Sequence, residues 1–408
     1  MSSPAGAAGE PDVLDTAGAG GAAIRGGSLR VAGYALGVML SVLSAAVLFR
    51  HLGIADGGRY VTVNTLVAVV AGVTDAGLVA VGVRELSVRR GAARRRLLAS
   101  LLGLRLVLTL LGVAGVLAFA ALAGYPEVLV LGTLLAGAGL LLQVVQATLT
   151  IPLLSALRLG WVTALDLARQ VALVAGIVAL AALGASLLPF LALAVPVGAV
   201  VLVLTALALR GEERARPAFD RAEWVALLRD TLPFAAAVAI AAIYFRLALV
   251  LMSLVADPVE TGLFALSFRV VDVLVVLPQL AVGAAQPIFA RAARDDRLRL
   301  RYASTRTFEA SLVLGAGLAL ALALGAPVAM AVLAGEQGAP AAGILRIQAA
   351  GLAASFVTAA FSYVLLSLRM HRALLAVSLV GLLVTAGGTL ALVPVAGAEG
   401  AAAATALA

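Results

Sequence analysis

Residues 128–150 read VLVLGTLLAGAGLLLQVVQATLT, twenty-three consecutive positions without a charge, preceded by Pro126 and Glu127. As a helix rising 1.5 Å per residue, such a run is about 34 Å long, enough to cross the ~30 Å hydrocarbon core of a bilayer. Comparable runs recur at approximately 29–49, 60–83, 97–123, 162–185, 187–209, 231–255, 262–290, 306–333, 341–367 and 373–395, and a further one begins near Ala398. Each is about 20 residues or longer and lacks the alternating polar period of a barrel strand, so the runs predict helices. Only Gly184 to Ser186 separates 162–185 from 187–209.

Composition agrees with this reading. The chain has 408 residues, of which 63% are hydrophobic and 12% charged, and its mean hydropathy is +1.12. A soluble globule of that make-up could not cover its own surface with polar groups. The expectation is an all-α polytopic membrane protein of about 12 transmembrane helices.

Three absences narrow the chemistry. There is no lysine, so all 29 basic residues are arginine and neither a phosphate-loop lysine nor a Schiff-base lysine exists. There is no cysteine, and the two histidines, His51 and His371, stand far apart. Disulfides, thiolate nucleophiles and histidine–cysteine metal sites are thereby excluded, and no catalytic residue, metal or cofactor is expected. The sequence pI of about 10.8 reflects arginines scattered between apolar runs rather than a basic solvated domain, so nucleic acid is not an expected partner.

The arginines fix an expected topology. Alternate loops hold Arg84, Arg89, Arg90 and Arg94 to Arg96; Arg158; Arg210, Arg214, Arg216, Arg221 and Arg229; Arg291, Arg294, Arg297, Arg299, Arg301 and Arg306; and Arg369 with Arg372. The other loops hold Arg50 and Arg59 among acids such as Asp257, Glu260 and Glu336. Twenty arginines against two place the first set in the cytoplasm, and the N-terminus with it, in the cell membrane. The same clusters are expected to anchor anionic lipids. Residues 1–28, rich in Gly and Ala with three acids, read as a disordered cytoplasmic tail with no cleaved leader.

The longest arginine-rich loop, 210–230, is the expected linker between an N-lobe (29–209) and a C-lobe (231–408), with a short amphipathic helix around Trp224. A weak internal match supports two six-helix lobes. At an offset near 204, Gly58-Arg59-Tyr60 falls on Gly262-Leu263-Phe264; at 211, the segment 153–158 resembles 364–369. An even number of spans per copy makes this a parallel repeat about a pseudo-twofold axis along the membrane normal, with a cavity between the lobes. The same shift carries the last span to about residue 420, so Ala408 is expected to fall inside it.

LeuGlyIleAlaAspGlyGlyArgTyr (52–60), ThrAspAlaGlyLeu (74–78) and ValArgGluLeu (83–86) resemble the opening of the Wzx-like polysaccharide and lipid-linked oligosaccharide flippases, of the multidrug/oligosaccharidyl-lipid/polysaccharide exporter superfamily. Glu260-Thr-Gly-Leu-Phe, on through Arg269 to Gln286-Pro287, resembles that family's second-lobe hairpin. Phe245 departs from it, standing where many members carry an Asp before the position of Arg246. The resemblance implies a transporter, not an enzyme, that moves an undecaprenyl-diphosphate-linked glycan between leaflets by alternating access through a cationic interior. It implies that glycan as ligand and glycan-synthesis enzymes as partners. The alternatives are a cation-coupled multidrug exporter of the superfamily and a membrane-embedded glycan polymerase or ligase.

Charges inside the spans single out residues for this work, because each costs roughly 2.5–3.5 kcal/mol at the bilayer centre and needs a partner or a watery cavity. Asp166/Arg169 and Arg269/Asp272 are spaced i,i+3 and can pair on one helix face. Arg246, Arg269 and Arg346 lie in successive second-half spans and are expected to form an electropositive pocket for pyrophosphate, guanidinium being suited to bidentate phosphate binding. The competing reading is interhelical pairing with Asp75 or Asp272. With no nucleotide motif, a proton or cation gradient is the candidate energy source and Asp75 and Asp272 the candidate ion-coupling carboxylates.

Overall fold

A computed structural model describes residues 19–75, 77–210, 216–283, 289, 297–368 and 370–408. The described chain is helical almost throughout: α1 Ala19–Asp75, α2 Leu78–Val88, α3 Gly91–Leu122, α4 Glu127–Leu149, α5 Ile151–Ser155, α6 Leu159–Ala182, α7 Leu187–Ala192 and α8 Ala194–Ala208 in the first part. After the 209–220 connection come α9 Arg221–Val255, α10 Pro258–Leu274, α11 Val276–Gly283, α12 Arg297–Ala334, α13 Ala341–Ser367 and α14 His371–Leu407. Among the described residues nine helices are long and apolar enough to cross a membrane, with a shorter apolar helix at Ala239–Val255. This is an all-α, multi-pass membrane architecture. Of the segments singled out above, Arg214, Gln286-Pro287, Arg291, Arg294, Arg369 and residues 1–18 lie outside the described residues.

Helix starts and breaks follow local chemistry. α10 opens on Asp257, whose carboxylate accepts from the Val259 N–H at 2.8 Å, with Pro258 at the first helical position. Asp257→Ala should therefore cost about 1 kcal/mol, read as a lowered melting midpoint in detergent. α1 is interrupted at Gly53, where φ is 77° and ψ 178°, a conformation that favours glycine. α14 is interrupted likewise at Ala396 and Gly397, two residues past Pro394. Within the apolar helices, hydroxyls satisfy themselves on the preceding turn: Thr74, Thr133, Thr148 and Thr205 each donate to the carbonyl four residues back, at 2.7–2.8 Å.

The core is concentrated toward one end. The largest cluster joins Leu48, Phe49 and Ile54 of the first part to Met252, Phe264, Met330 and Leu345 of the second. All of these lie toward the arginine-poor loops. Contact there is direct: a Cβ added to Gly58 would stand 2.5 Å from Gly262 Cα, and one added to Gly262 would stand 2.2 Å from the Ile54 carbonyl oxygen. Gly58 and Gly262 are also the residues that the 204-residue offset in the sequence superposes. Polar contacts complete the seam. Arg50 Nη2 donates to the carbonyls of Ala331 (3.1 Å) and Val332 (2.9 Å), capping the C-terminal end of α12. The Tyr125 hydroxyl lies 2.6 Å from Ser253 Oγ.

Toward the arginine-rich end the clusters are smaller and more separate. One packs Leu86, Leu97 and Leu101 against Leu227 and Trp224; another joins Val282, Phe289 and Ala360. The link between the halves at this end is the start of α9. Arg89 pairs with Glu223, Trp224 Nε1 donates to the Ser100 carbonyl at 3.0 Å, and the Ala218 N–H donates to the Ala99 carbonyl at 2.9 Å. The segment around Trp224 is thus no separate amphipathic helix. Asp220 caps it, accepting from Ala222 and Glu223, and it runs on without interruption as the first turns of α9.

Candidate functional site

α9 and α10 are antiparallel neighbours joined through Ala256 and Asp257, which sets Arg246 on α9 beside Arg269 and Asp272 on α10. The i,i+3 spacing keeps the two α10 side chains on one face. Asp272 lies between the guanidinium groups: Oδ1 is 3.6 Å from Arg246 Nη2 and Oδ2 is 3.9 Å from Arg269 Nη1. Arg269 Nη2 also donates to Ser41 Oγ at 3.0 Å, reaching α1 in the first part of the chain. Arg246 sits 5.9 Å from the centroid of Phe245, over its ring.

These three residues line a cavity of about 220 Å3 between α1 and the α9–α10 pair, together with Ser44, Tyr60 and Asn64 of α1. Asn64 Nδ2 donates to the Tyr60 carbonyl at 2.9 Å, leaving its own carbonyl oxygen for other partners. The three charged side chains are about one quarter to one third exposed. Both Asp272 contacts are longer than a direct charge-assisted hydrogen bond of 2.7–2.9 Å, so the carboxylate offsets one of the two charges without saturating the N–H groups of either arginine. Two cations against one anion leave this cavity with a formal surplus of one positive charge, suited to an incoming anion.

Arg346 is not brought to this cavity. It is exposed on α13, and its Nε donates to the Ala323 carbonyl of α12 at 3.3 Å. Pro327 lies four residues beyond Ala323 inside the same helix, and having no N–H it leaves that carbonyl without its helical partner. Arg346 therefore makes up a missing backbone hydrogen bond, and the cavity holds two of the three arginines that were expected to converge. Asp75 is elsewhere too: its Oδ1 accepts from Arg105 Nη2 at 2.6 Å, while Arg105 Nη1 donates to Thr148 Oγ1 at 2.9 Å. Both expected coupling carboxylates are thus ion-paired, Asp272 to Arg246 and Arg269, and Asp75 to Arg105. Ser41, Tyr60 and Asn64 did not stand out in the sequence. The available signal was polar residues at helical spacing, Ser41 with Ser44 and Tyr60 with Asn64, within otherwise apolar spans.

The family described as polysaccharide biosynthesis protein matches residues 23–293. No curated protein matches the chain. Among solved structures, it is similar to the inward-facing conformation of a multidrug resistance MATE family transporter of the MOP superfamily, with TM-score 0.73, 13% identity, and 90% of each chain covered. It is equally similar to the lipid II flippase MurJ in an inward closed conformation, with TM-score 0.73, 13% identity, and 94% of this chain and 84% of that one covered. A MOP superfamily transporter from Pyrococcus furiosus gives TM-score 0.57 at 14% identity, over 94% of this chain and 89% of that one.

Proposed function

This chain belongs to the polysaccharide biosynthesis protein family, and from that premise we propose that it carries an undecaprenyl-diphosphate-linked oligosaccharide or polysaccharide precursor across the cell membrane, from the cytoplasmic to the outer leaflet. The observation that carries the reading is the convergence of Arg246 and Arg269 on Asp272 in a cavity between α1 and the α9–α10 pair. A diphosphate offers these guanidinium groups shorter, bidentate bonds than Asp272 makes, so it displaces the carboxylate and takes its place. Asp272 is then a resting counter-ion: it offsets one of the two positive charges when the site is empty and gives up both arginines when the substrate enters.

Alternating access follows from where the lobes are joined. The seam at Gly58–Gly262, Arg50 and Tyr125–Ser253 closes the arginine-poor end, and the positive-inside rule makes that the outer end. In this form the substrate enters from the arginine-rich, cytoplasmic side, where the basic loops hold anionic lipid and receive substrate from glycan-synthesis enzymes.

The test is export of the glycan in a flippase-null host expressing Arg246→Ala or Arg269→Ala at wild-type membrane levels. A charge-assisted phosphate bond worth about 1.5–3 kcal/mol predicts roughly 10- to 100-fold weaker substrate binding per arginine, and the double variant should export almost nothing. Arg346→Ala, at a residue outside the cavity, should export normally once inserted. Wild-type export by the double variant would refute the reading.

A further inference from the structure

Beside the charged cavity lies a larger one of about 800 Å3, lined by α9, α10, α11, α13 and α14. None of its described lining side chains is charged. Its walls carry the rings of Tyr244, Phe245, Phe268 and Tyr363, and along α13 it meets Gln348, Ser355 and Ser362, spaced by seven residues and therefore on one helix face. Phe268 lines both cavities. Its ring centroid is 5.1 Å from that of Phe245, and Phe245 lies under the Arg246 guanidinium. The two spaces thus meet at one aromatic wall, with the phosphate-binding arginine just across it.

Gln348 is the unexplained group. It is 4% exposed, and neither its Nε2 nor its Oε1 has a hydrogen-bond partner. A buried side-chain amide with both ends unpaired is costly, since the groups lose water and gain nothing in return. A ligand carrying adjacent donors and acceptors would supply what is missing; a hydrocarbon chain would not.

We propose, resting on the lipid-diphosphate reading above, that this cavity receives the sugar residues attached to the diphosphate, and that it selects uncharged ones. Sugar rings have apolar faces that pack on aromatic side chains and hydroxyls that pair with amide and hydroxyl groups, which is the combination that the cavity presents. With no charged side chain in the described lining, an acidic sugar would be desolvated there without a counter-ion. The arginines accordingly hold the diphosphate common to such lipids, and the α13 face reads the glycan.

The experiment compares two probes on the purified full chain in lipid nanodiscs: undecaprenyl diphosphate, and the same lipid bearing a neutral disaccharide that begins with N-acetylglucosamine. Wild type should bind the disaccharide form at least tenfold more tightly. Gln348→Leu should erase that advantage while binding the bare diphosphate as wild type does, which also shows that it is folded; Ser362→Ala should reduce the advantage in part. Arg246→Ala should weaken both probes alike. Equal affinity of wild type for the two probes overturns the proposal, and so does equal weakening of both by Gln348→Leu, the result expected if the cavity held the lipid chain. Failure of wild type to bind either probe would instead refute the lipid-diphosphate reading on which the proposal stands.

Discussion

Gly262→Val is expected to leave little folded protein in the membrane. A Cβ at this position would stand 2.2 Å from the Ile54 carbonyl oxygen and 2.8 Å from its carbon, and both are backbone atoms that no rotamer change can move. The substitution must drive α10 away from the segment after Gly53, and with it the largest apolar cluster, where Phe49 and Phe264 are almost wholly buried. Overpacking alone costs about 1–3 kcal/mol, and prising apart a core costs more. Gly317→Val is the control, because nothing lies within 4 Å of a Cβ there, and its effect should stay within about 1 kcal/mol. Yield and monodispersity of a fluorescent fusion on size exclusion read the difference. Wild-type yield and melting for Gly262→Val would mean that the close approach is not a constraint.

Asp75→Leu should be nearly as damaging, by another route. Its partner Arg105 has a side chain only 4% exposed, whereas that of Asp75 is 40% exposed. Removing the acid strands a buried guanidinium whose Nε already has no partner, a loss of about 3–5 kcal/mol for an uncompensated buried charge. Arg105→Met should cost less, because the carboxylate left behind is not enclosed by the protein. The double variant Asp75→Leu/Arg105→Met should recover most of the stability lost in Asp75→Leu, since replacing both members of a buried pair by apolar groups is often neutral. Melting midpoints in detergent close this cycle. Equal stability of Asp75→Leu and the double variant would dismiss the pair as a structural element.

What could be read in the sequence and what could not divide along a physical line. Hydropathy belongs to a single helix, so the all-α membrane architecture was legible, as were the punctuation at Gly184 and the restart near Ala398, where α14 breaks at Ala396 and Gly397; against an expected count of about twelve, nine helices among the described residues are long and apolar enough to cross. Pairing between helices depends on which faces meet, and that is not written locally. Arg269 and Asp272 declared themselves by their i,i+3 spacing. Asp75 gave no sign that Arg105, thirty positions away, was its partner. Arg346 looked like a phosphate ligand because a lone arginine in a span demands an explanation; the explanation was Pro327, whose missing N–H frees the Ala323 carbonyl on the antiparallel neighbour.

The seam at the arginine-poor end has one more consequence. Arg50 there binds two carbonyl oxygens, neither of which titrates. Burial pushes the Tyr125 phenol above its ordinary value, with the Ser253 bond pulling the other way, so the phenol stays protonated at neutral pH. The Gly58–Gly262 contact is plain backbone. Between about pH 5 and 9 none of these groups gains or loses a proton, and none is an exposed ion pair that salt would screen. Changes of acidity or salt around this end therefore have no purchase on the contacts that hold it together.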